Sequence, residues 1–542
     1  MAPEALYLGQ PGAAFAEARS WPRNRATEVM VALASGLVLS FAYPGWDMAL
    51  LAWVALAPFF LMMLRSRSAW NYAGLSLAFG FAFFGGLNYW LLAMHPLTWV
   101  GGGMTTGMSL AIVLVAWSAL ALVLALGLTA VFTAVGLTWR ALARHDRLGP
   151  WAVIGLSAGG WIALEMIQAT GSFGYPWGVL AVTQYQTLPI LQAVAWVGPF
   201  PLSGLLVAVN AAVAWLVLRR AWKPLAGSLT LVGLTALAGI WWMRLPAPGE
   251  AVRVAVAQGN VSQAEKWQAG SETAIQERYF KLSNRVPDAR LVAWPETAVP
   301  VFLAQQPVLV QRFETEARAR RQYLLTGAFH QDLSLTGQPR HYNGITVYAP
   351  NGANLGWDAK KHLVPFGEYL PGRDVLPAIW AQLFGRLNLL ATDLSPGDRP
   401  RPYDTEFGGV GANVCFDSIF PSVMRETTRS GATVLVLVTN DGWYKRTMAL
   451  RQHFAHGILR AVENRRPFLQ AANTGVSGVV DHNGRILAVT PAWEQAVTKA
   501  SIVPQSGFTP YTRYGDWLSW LVAAVALTLT TWTFIVRTSR PT

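Results

Sequence analysis

Eight apolar stretches, most of them long enough to cross a hydrocarbon layer of roughly 30 Å, constrain this chain more than any other feature. They fall near 27–43, 48–64, 71–94, 105–138, 151–170, 192–218, 225–243 and 517–536. Lipid offers no water to satisfy peptide groups, so such runs predict helices. The first two are short and separated by Tyr43-Pro44-Gly45-Trp46-Asp47, which reads as the turn of a tight helical hairpin. The fourth is long enough to tilt or to extend beyond the bilayer. Composition agrees, with 13% charged residues against roughly 25% in soluble domains. Residues 1–25 lack an apolar core and no small-residue cleavage site follows the first run, so that run is expected to stay as an anchor.

The net charge of +13 invites a nucleic-acid reading, but the placement of the charges argues for a membrane. Arg19, Arg23 and Arg25 precede the first run, Arg65 and Arg67 follow the second, and Arg140, Arg144 and Arg147 follow the fourth. Arg219, Arg220 and Lys223 follow the sixth, and Arg537 and Arg540 the eighth. The alternate short loops 44–47, 95–104 and 171–191 hold no Lys or Arg. Basic loops stay on the cytoplasmic side, which predicts cytoplasmic termini and an outer segment 245–510. Arg244 is a lone exception, at the border of a long segment where the rule weakens. The expected organisation is a cytoplasmic tail (1–26), a membrane domain of seven helices (27–244), an outer domain (245–510), and an eighth helix with a cytoplasmic tail (511–542).

The outer segment changes character. Leu291-Val292-Ala293-Trp294, Tyr323-Leu324-Leu325-Thr326 and Val434-Leu435-Val436-Leu437-Val438 read as buried strands, and Leu450 to Arg466 as an amphipathic helix. Asp481-His482-Asn483-Gly484 is a turn between strand-like runs. The alternation predicts a layered α/β domain.

Three strings place reactive groups at strand ends: Trp294-Pro295-Glu296-Thr297, Lys360-Lys361-His362-Leu363-Val364-Pro365-Phe366-Gly367-Glu368, and Asn413-Val414-Cys415-Phe416-Asp417. Cys415 is the only cysteine, which rules out an intramolecular disulfide. A free thiol, with a pKa of about 8.5, needs a base before it attacks a carbonyl, and an adjacent ammonium favours the thiolate and the oxyanion that follows. A Glu, a Lys and a Cys form such a set.

These strings resemble the apolipoprotein N-acyltransferases of the nitrilase (carbon-nitrogen hydrolase) superfamily. The likeness rests on Glu296 in WPETAVP, Lys360 in KKHLVPFGEYLP and Cys415 in NVCFDSIFP, and extends to Gln258-Gly259-Asn260, Thr439-Asn440-Asp441-Gly442-Trp443 and Tyr175-Pro176-Trp177. It implies a polytopic α-helical membrane domain of eight transmembrane helices with a periplasmic α/β nitrilase-like αββα sandwich, in the bacterial inner membrane. It also implies transfer of an acyl chain from a phospholipid, phosphatidylethanolamine, through a Cys415 thioester to the N-terminal amine of a diacylated apolipoprotein. No metal or cofactor is expected, no nucleic acid, and a monomer. Glu296 would be the general base and Lys360 the oxyanion holder, with Lys361 the competitor. Glu368 would orient Lys360 or the amine. Phe416 and Asp417 stand where relatives carry Tyr and Glu, which leaves their roles open. Trp267 matches an aromatic position near the family's site, though plain packing accounts for it equally well. A membrane-tethered amidase or nitrilase would use the same triad but would need one anchor, and a transporter would need paired intramembrane charges that the sequence lacks.

Glu165 and Gln168 in the fifth run and Asn210 in the sixth are polar groups inside apolar stretches. They serve either a headgroup cavity or helix–helix hydrogen bonds. Gly101-Gly102-Gly103 lacks the context of a phosphate loop, and His453 and His456 lack a third metal ligand. Leu376, Ile379, Trp380, Leu383, Phe384, Leu387 and Leu390 share one helical face and suggest a lid that dips into lipid. A topology reporter fused after Arg147 should read cytoplasmic, and one inserted near Pro246 or after Gln505 periplasmic; a cytoplasmic signal from 245–510 would overturn the orientation.

Overall fold

The computed structural model describes residues 24–97, 104–142, 149–268, 270–373, 375 and 393–538. The lid expected over 376–390 and the glycine run 101–103 lie outside them. Among the described residues, five helices are long and apolar enough to cross a membrane: Thr106–Leu142, Gly149–Gln168, Pro199–Arg219, Lys223–Met243 and Trp517–Ile535. The first three expected runs are helical but shorter or interrupted. Arg25–Ser40 is followed by Ala57–Arg65, with a 3₁₀ turn Ala49–Trp53 between them, and Ala69–Leu87 runs into a second 3₁₀ turn, Tyr89–Met94. The sixth run is preceded by the short helix Leu188–Leu191 and begins as another, Val194–Val197, which ends where Gly198 takes φ +82° and Pro199 restarts the helix.

Interrupted backbone among apolar helices leaves peptide groups to be satisfied by something other than water. Asn210 supplies that. Its Oδ1 accepts from the Leu56 and Ala57 amides at 2.9 and 3.1 Å, and its Nδ2 donates to the Ala52 and Leu206 carbonyls, both at 2.8 Å. Glu165 likewise accepts from the Trp161 indole (2.8 Å) and the Leu180 amide (2.7 Å). Both bind neighbouring backbone or side chains, which is the helix–helix reading.

The C-terminal half contains two sheets packed face to face. The first has the order β13-β1-β2-β4-β5-β6: β1 Val252–Gln258, β2 Leu291–Ala293, β4 Tyr323–Leu333, β5 Pro339–Tyr348, β6 Asn354–Ala359 and β13 Ala496–Ile502, with β3 Val299–Phe302 paired to β4. The second runs β12-β11-β10-β9-β8-β7: β7 Tyr403–Thr405, β8 Gly408–Val414, β9 Ala432–Thr439, β10 Phe468–Ala472, β11 Gly478–Val480 and β12 Ile486–Val489. Parallel neighbours β1–β2–β4 and β8–β9–β10 form the two centres. Strands buried on both faces read as continuous apolar runs, which is why VLVLV was visible in the sequence.

Val254, Val256, Leu325, Val414, Val436 and Leu469 fill the space between the sheets. Helices Glu272–Ser283 and Pro307–Arg320 cover the first sheet through Phe280, Phe313 and Trp294. Helices Pro421–Arg429 and Ala449–Asn464 cover the second, and their far side continues into the membrane half through Val182, Leu191 and Phe200. The result is the expected αββα stack, with one outer layer shared with the apolar helices.

The Asn210 arrangement predicts that Asn210→Leu, similar in volume but unable to bond, destabilises the folded protein by about 2–3 kcal/mol. Thermal unfolding in detergent micelles measures this, and an unchanged midpoint would show that Asn210 is dispensable.

Candidate active site

The turns leaving β2 and β6 of the first sheet and β8 of the second bring Glu296, Lys360 and Cys415 together. Glu296 follows β2 in a tight turn. Thr297 takes φ +47°, and β4 approaches so closely at Gly327 that an added Cβ would lie 2.6 Å from the Pro295 carbonyl oxygen and 2.7 Å from the Glu296 Cα. Glu296 is buried. Its Oε1 accepts from Asn343 Nδ2 at 2.6 Å, and its Oε2 from the Asn440 amide at 2.7 Å.

Lys360 leaves β6 and is buried, with 2% of its side chain exposed. Its Nζ is 2.9 Å from both Glu368 oxygens and 3.8 Å from Glu296 Oε1. Burial opposes its charge, but Glu368, Cys415 and Glu296 together hold its pKa above the usual lysine value. Lys361, the competitor, pairs with Asp358 instead. Asn343 Nδ2 reaches Glu368 as well (3.1 Å), and the Val364 amide donates to Glu368 Oε2 (2.8 Å). One ammonium and one amide therefore join two carboxylates. Stripping one partner from such a buried pair typically costs about 3–5 kcal/mol.

Cys415 follows β8 at φ +49°, a left-handed turn uncommon for a residue with a side chain, and opens the 3₁₀ turn Cys415–Ile419. Burial and the Glu296 charge push the thiol's pKa well up, while Lys360 pulls it down. At rest the sulfur is therefore protonated, and a base is needed to activate it.

Asp417 is fully buried and ties the Cys415 turn to the lysine loop. Its carboxylate accepts from the Val414 amide (3.1 Å), the Lys361 amide (3.1 Å) and the His362 amide (2.8 Å). Burial outweighs those amides and raises its pKa to about 6. Phe416 packs on Phe420 (5.4 Å) and on Tyr175 (6.3 Å), which belongs to the loop 171–191. Trp177 of that loop lies 5.5 Å from Tyr444 and bonds Gln452 Oε1 at 2.7 Å. Aromatic groups of the membrane half thus form a floor beside Cys415.

Trp267 stays outside this cluster. It is 53% exposed and rests near Phe329, 6.3 Å between ring centres. Its neighbour Lys266 was not visible as a site residue. That ammonium is buried and donates to Thr297 Oγ1 (2.9 Å) and the Glu296 carbonyl (3.4 Å), and burial lowers its pKa to about 8, partly offset by Glu296. Asn343 was also missed, although a polar residue in phase with Ile345 and Val347 on a buried strand was a usable signal.

A family model described as "Apolipoprotein N-acyltransferase N-terminal domain" matches residues 35–212, and "Carbon-nitrogen hydrolase" matches 253–507. The apolipoprotein N-acyltransferase of Gloeobacter violaceus is 34% identical over 93% of this chain and 94% of its own length. This chain belongs to that family. The Geobacter metallireducens member is 30% identical over 92% of this chain and 94% of its own. Membership also explains why apolar helices and a nitrilase-like half occur in one polypeptide. Saccharomyces cerevisiae Nit3, of branch 10 of the nitrilase superfamily, aligns with 48% of this chain and 92% of its own at 21% identity, with a TM-score of 0.36.

The Asp417 bridge yields a pH test. Its folded pKa of about 6 lies above the unfolded value, so its contribution to stability is greatest below the unfolded pKa of about 3.9 and is lost as pH rises through about 6. Asp417→Asn does not titrate, so from pH 4 to pH 7 its stability should improve relative to wild type. Thermal melts across that range measure the difference, and a gap independent of pH would contradict it.

Proposed function

We propose that this enzyme moves an acyl chain from a phospholipid to the N-terminal amine of a diacylated apolipoprotein through a thioester on Cys415. The observation that carries the reading is the buried Glu296–Lys360–Cys415 cluster, set against an aromatic floor supplied by the membrane half. Family membership over nearly the whole chain favours acyl transfer over hydrolysis of a small C–N substrate.

Glu296 takes the thiol proton, and the sulfur attacks the ester carbonyl carbon. Negative charge moves to the carbonyl oxygen, where the Lys360 ammonium stabilises it. The intermediate collapses by breaking the carbon–oxygen bond, and Glu296 returns the proton to the departing lysophospholipid oxygen. In the second half, the amine nitrogen attacks the thioester. Glu296 accepts an amine proton and delivers it to the leaving sulfur, which restores the thiol. Glu368 holds Lys360, Asp417 and Phe416 hold the cysteine turn, and Trp267 stands at the rim. Each large, membrane-anchored substrate visits the site in turn.

The basic loops support eight spans in an inner membrane, a periplasmic catalytic domain and cytoplasmic termini. Phosphatidylethanolamine is the proposed donor, and the enzyme acts as a monomer.

Purified protein given phospholipid alone should gain one acyl mass on Cys415, labile to neutral hydroxylamine and discharged by a diacylated lipopeptide. Cys415→Ala, Glu296→Gln and Lys360→Ala should gain none, and Cys415→Ser should be severely impaired. Intact-mass measurement checks this. Transfer by Cys415→Ala with no adduct in the wild type would refute the nucleophile assignment.

A further inference from the structure

Behind the thiol lies a ring of polar groups that the reaction above does not use. His453, on the helix Ala449–Asn464, is fully buried. Its Nδ1 is 2.8 Å from Asp441 Oδ1, and its Nε2 is 3.1 Å from the carbonyl oxygen of Cys415. That carbonyl also accepts from Ser418 Oγ at 3.1 Å. Asp441 Oδ1 accepts from Thr439 Oγ1 at 2.8 Å, and Thr439 acts to lower the pKa of the Cys415 thiol. The chain of contacts runs from threonine to aspartate to histidine and ends on the cysteine's own carbonyl.

Both partners of the imidazole are acceptors. A carbonyl oxygen accepts only, and an ionised carboxylate accepts only, so a ring bonded to both must carry a proton on each nitrogen. We infer that His453, held by Asp441, is a positioning residue for Cys415: a buried imidazolium that fixes the left-handed cysteine turn and balances the negative charge gathered around the sulfur. The inference rests on the reading of Cys415 as nucleophile.

The surroundings bear this out. Burial works against the charge of His453, but Asp441, the Cys415 carbonyl and Glu296 raise its pKa, whereas burial lowers those of His330, His362, His456 and His482. Asp441 and Tyr444 face the ring from the turn after β9, with Tyr444 6.1 Å away, and Trp177 stacks on it at 5.8 Å. Glu296 acts from the turn after β2, and Lys360 acts on the thiol. On its own helix the next titratable groups are His456, Arg460 and Glu463. Arg460 is occupied with Glu463 and with the Ser418 and Ile419 carbonyls. His453 is thus the cation paired with Asp441, and it offsets a carboxylate that would otherwise push the thiol's pKa higher still.

Cys415 is the only cysteine, so alkylation of the full-length protein by iodoacetamide reports this thiol alone. In His453→Gln the alkylation midpoint should rise by about one pH unit, and kcat should fall about tenfold with KM for phospholipid little changed. Adding Asp441→Asn should recover more than half of the midpoint shift, because it removes the uncompensated carboxylate. Loss of packing alone would not be rescued that way. A wild-type midpoint in His453→Gln, or a double variant as displaced as the single one, would overturn the inference. Wild-type protein gives a check that needs no variant: ¹⁵N spectra of histidine-labelled protein should show one of the eight histidines still doubly protonated at about pH 8.5, and none in that state would also overturn it. Thiol acidity is read here without acyl transfer, so failure of this test is distinct from failure of the acyl-enzyme test.

Discussion

A single buried ammonium holds the site together. Lys360 sits between the two carboxylates of Glu296 and Glu368 in a region that water scarcely reaches. The geometry of the site follows from that placement. Asn343 keeps the two carboxylates at their separate distances from the ammonium, and the Asn440 amide fixes the second oxygen of Glu296. Three strand ends must meet for these bonds to form, and only the ordered pairing of both sheets brings them together. The Cys415 thiol lies in the same field: Glu296 raises its pKa and, in the proposed mechanism, takes its proton.

Asp417 extends this electrostatic unit into the backbone. By gathering amides from both sides, it makes the position of Lys360 depend on the turn that presents Cys415. The cost is a buried carboxylate, and the left-handed backbone at Cys415 and Thr297 adds strain beside it. Such strain persists only where surrounding bonds over-determine the conformation, and here they do.

Much of this was legible in the sequence because it depended on local pattern. The apolar runs, the VLVLV strand and the three reactive strings each carry their signal within a few residues. Whether a run of membrane length stays one helix was less legible. The link between the first two runs depends on Asn210, more than 150 positions away, which bonds the Ala52 carbonyl of the 3₁₀ turn and the Leu56 and Ala57 amides that open the next helix, and no local period encodes that. Lys266 and the role of His453 escaped for the same reason, whereas Asn343 had only the period of its buried strand to mark it. Each gains its meaning from a partner on another element, and taken alone each looks like an ordinary polar residue. Asp417 was noticed only as a departure from a familiar string, whereas its structural role is to bridge two loops. Trp267 shows the converse, since a recognisable position is a half-exposed ring beside Phe329.

The loop carrying Tyr175 and Trp177 has a further implication. Its aromatic rings lie against Phe416 and Tyr444, and its backbone accepts bonds from Tyr43 on one side and from His456 on the other. The nitrilase-like half therefore lacks a finished wall of its own. Cut free, it would lay open an apolar seam beside Phe416 and Tyr444, and grafted onto a foreign set of helices it would meet the wrong floor. The two halves are separate in architecture but form one piece as a tool, so the smallest exchangeable unit of this enzyme is the whole chain.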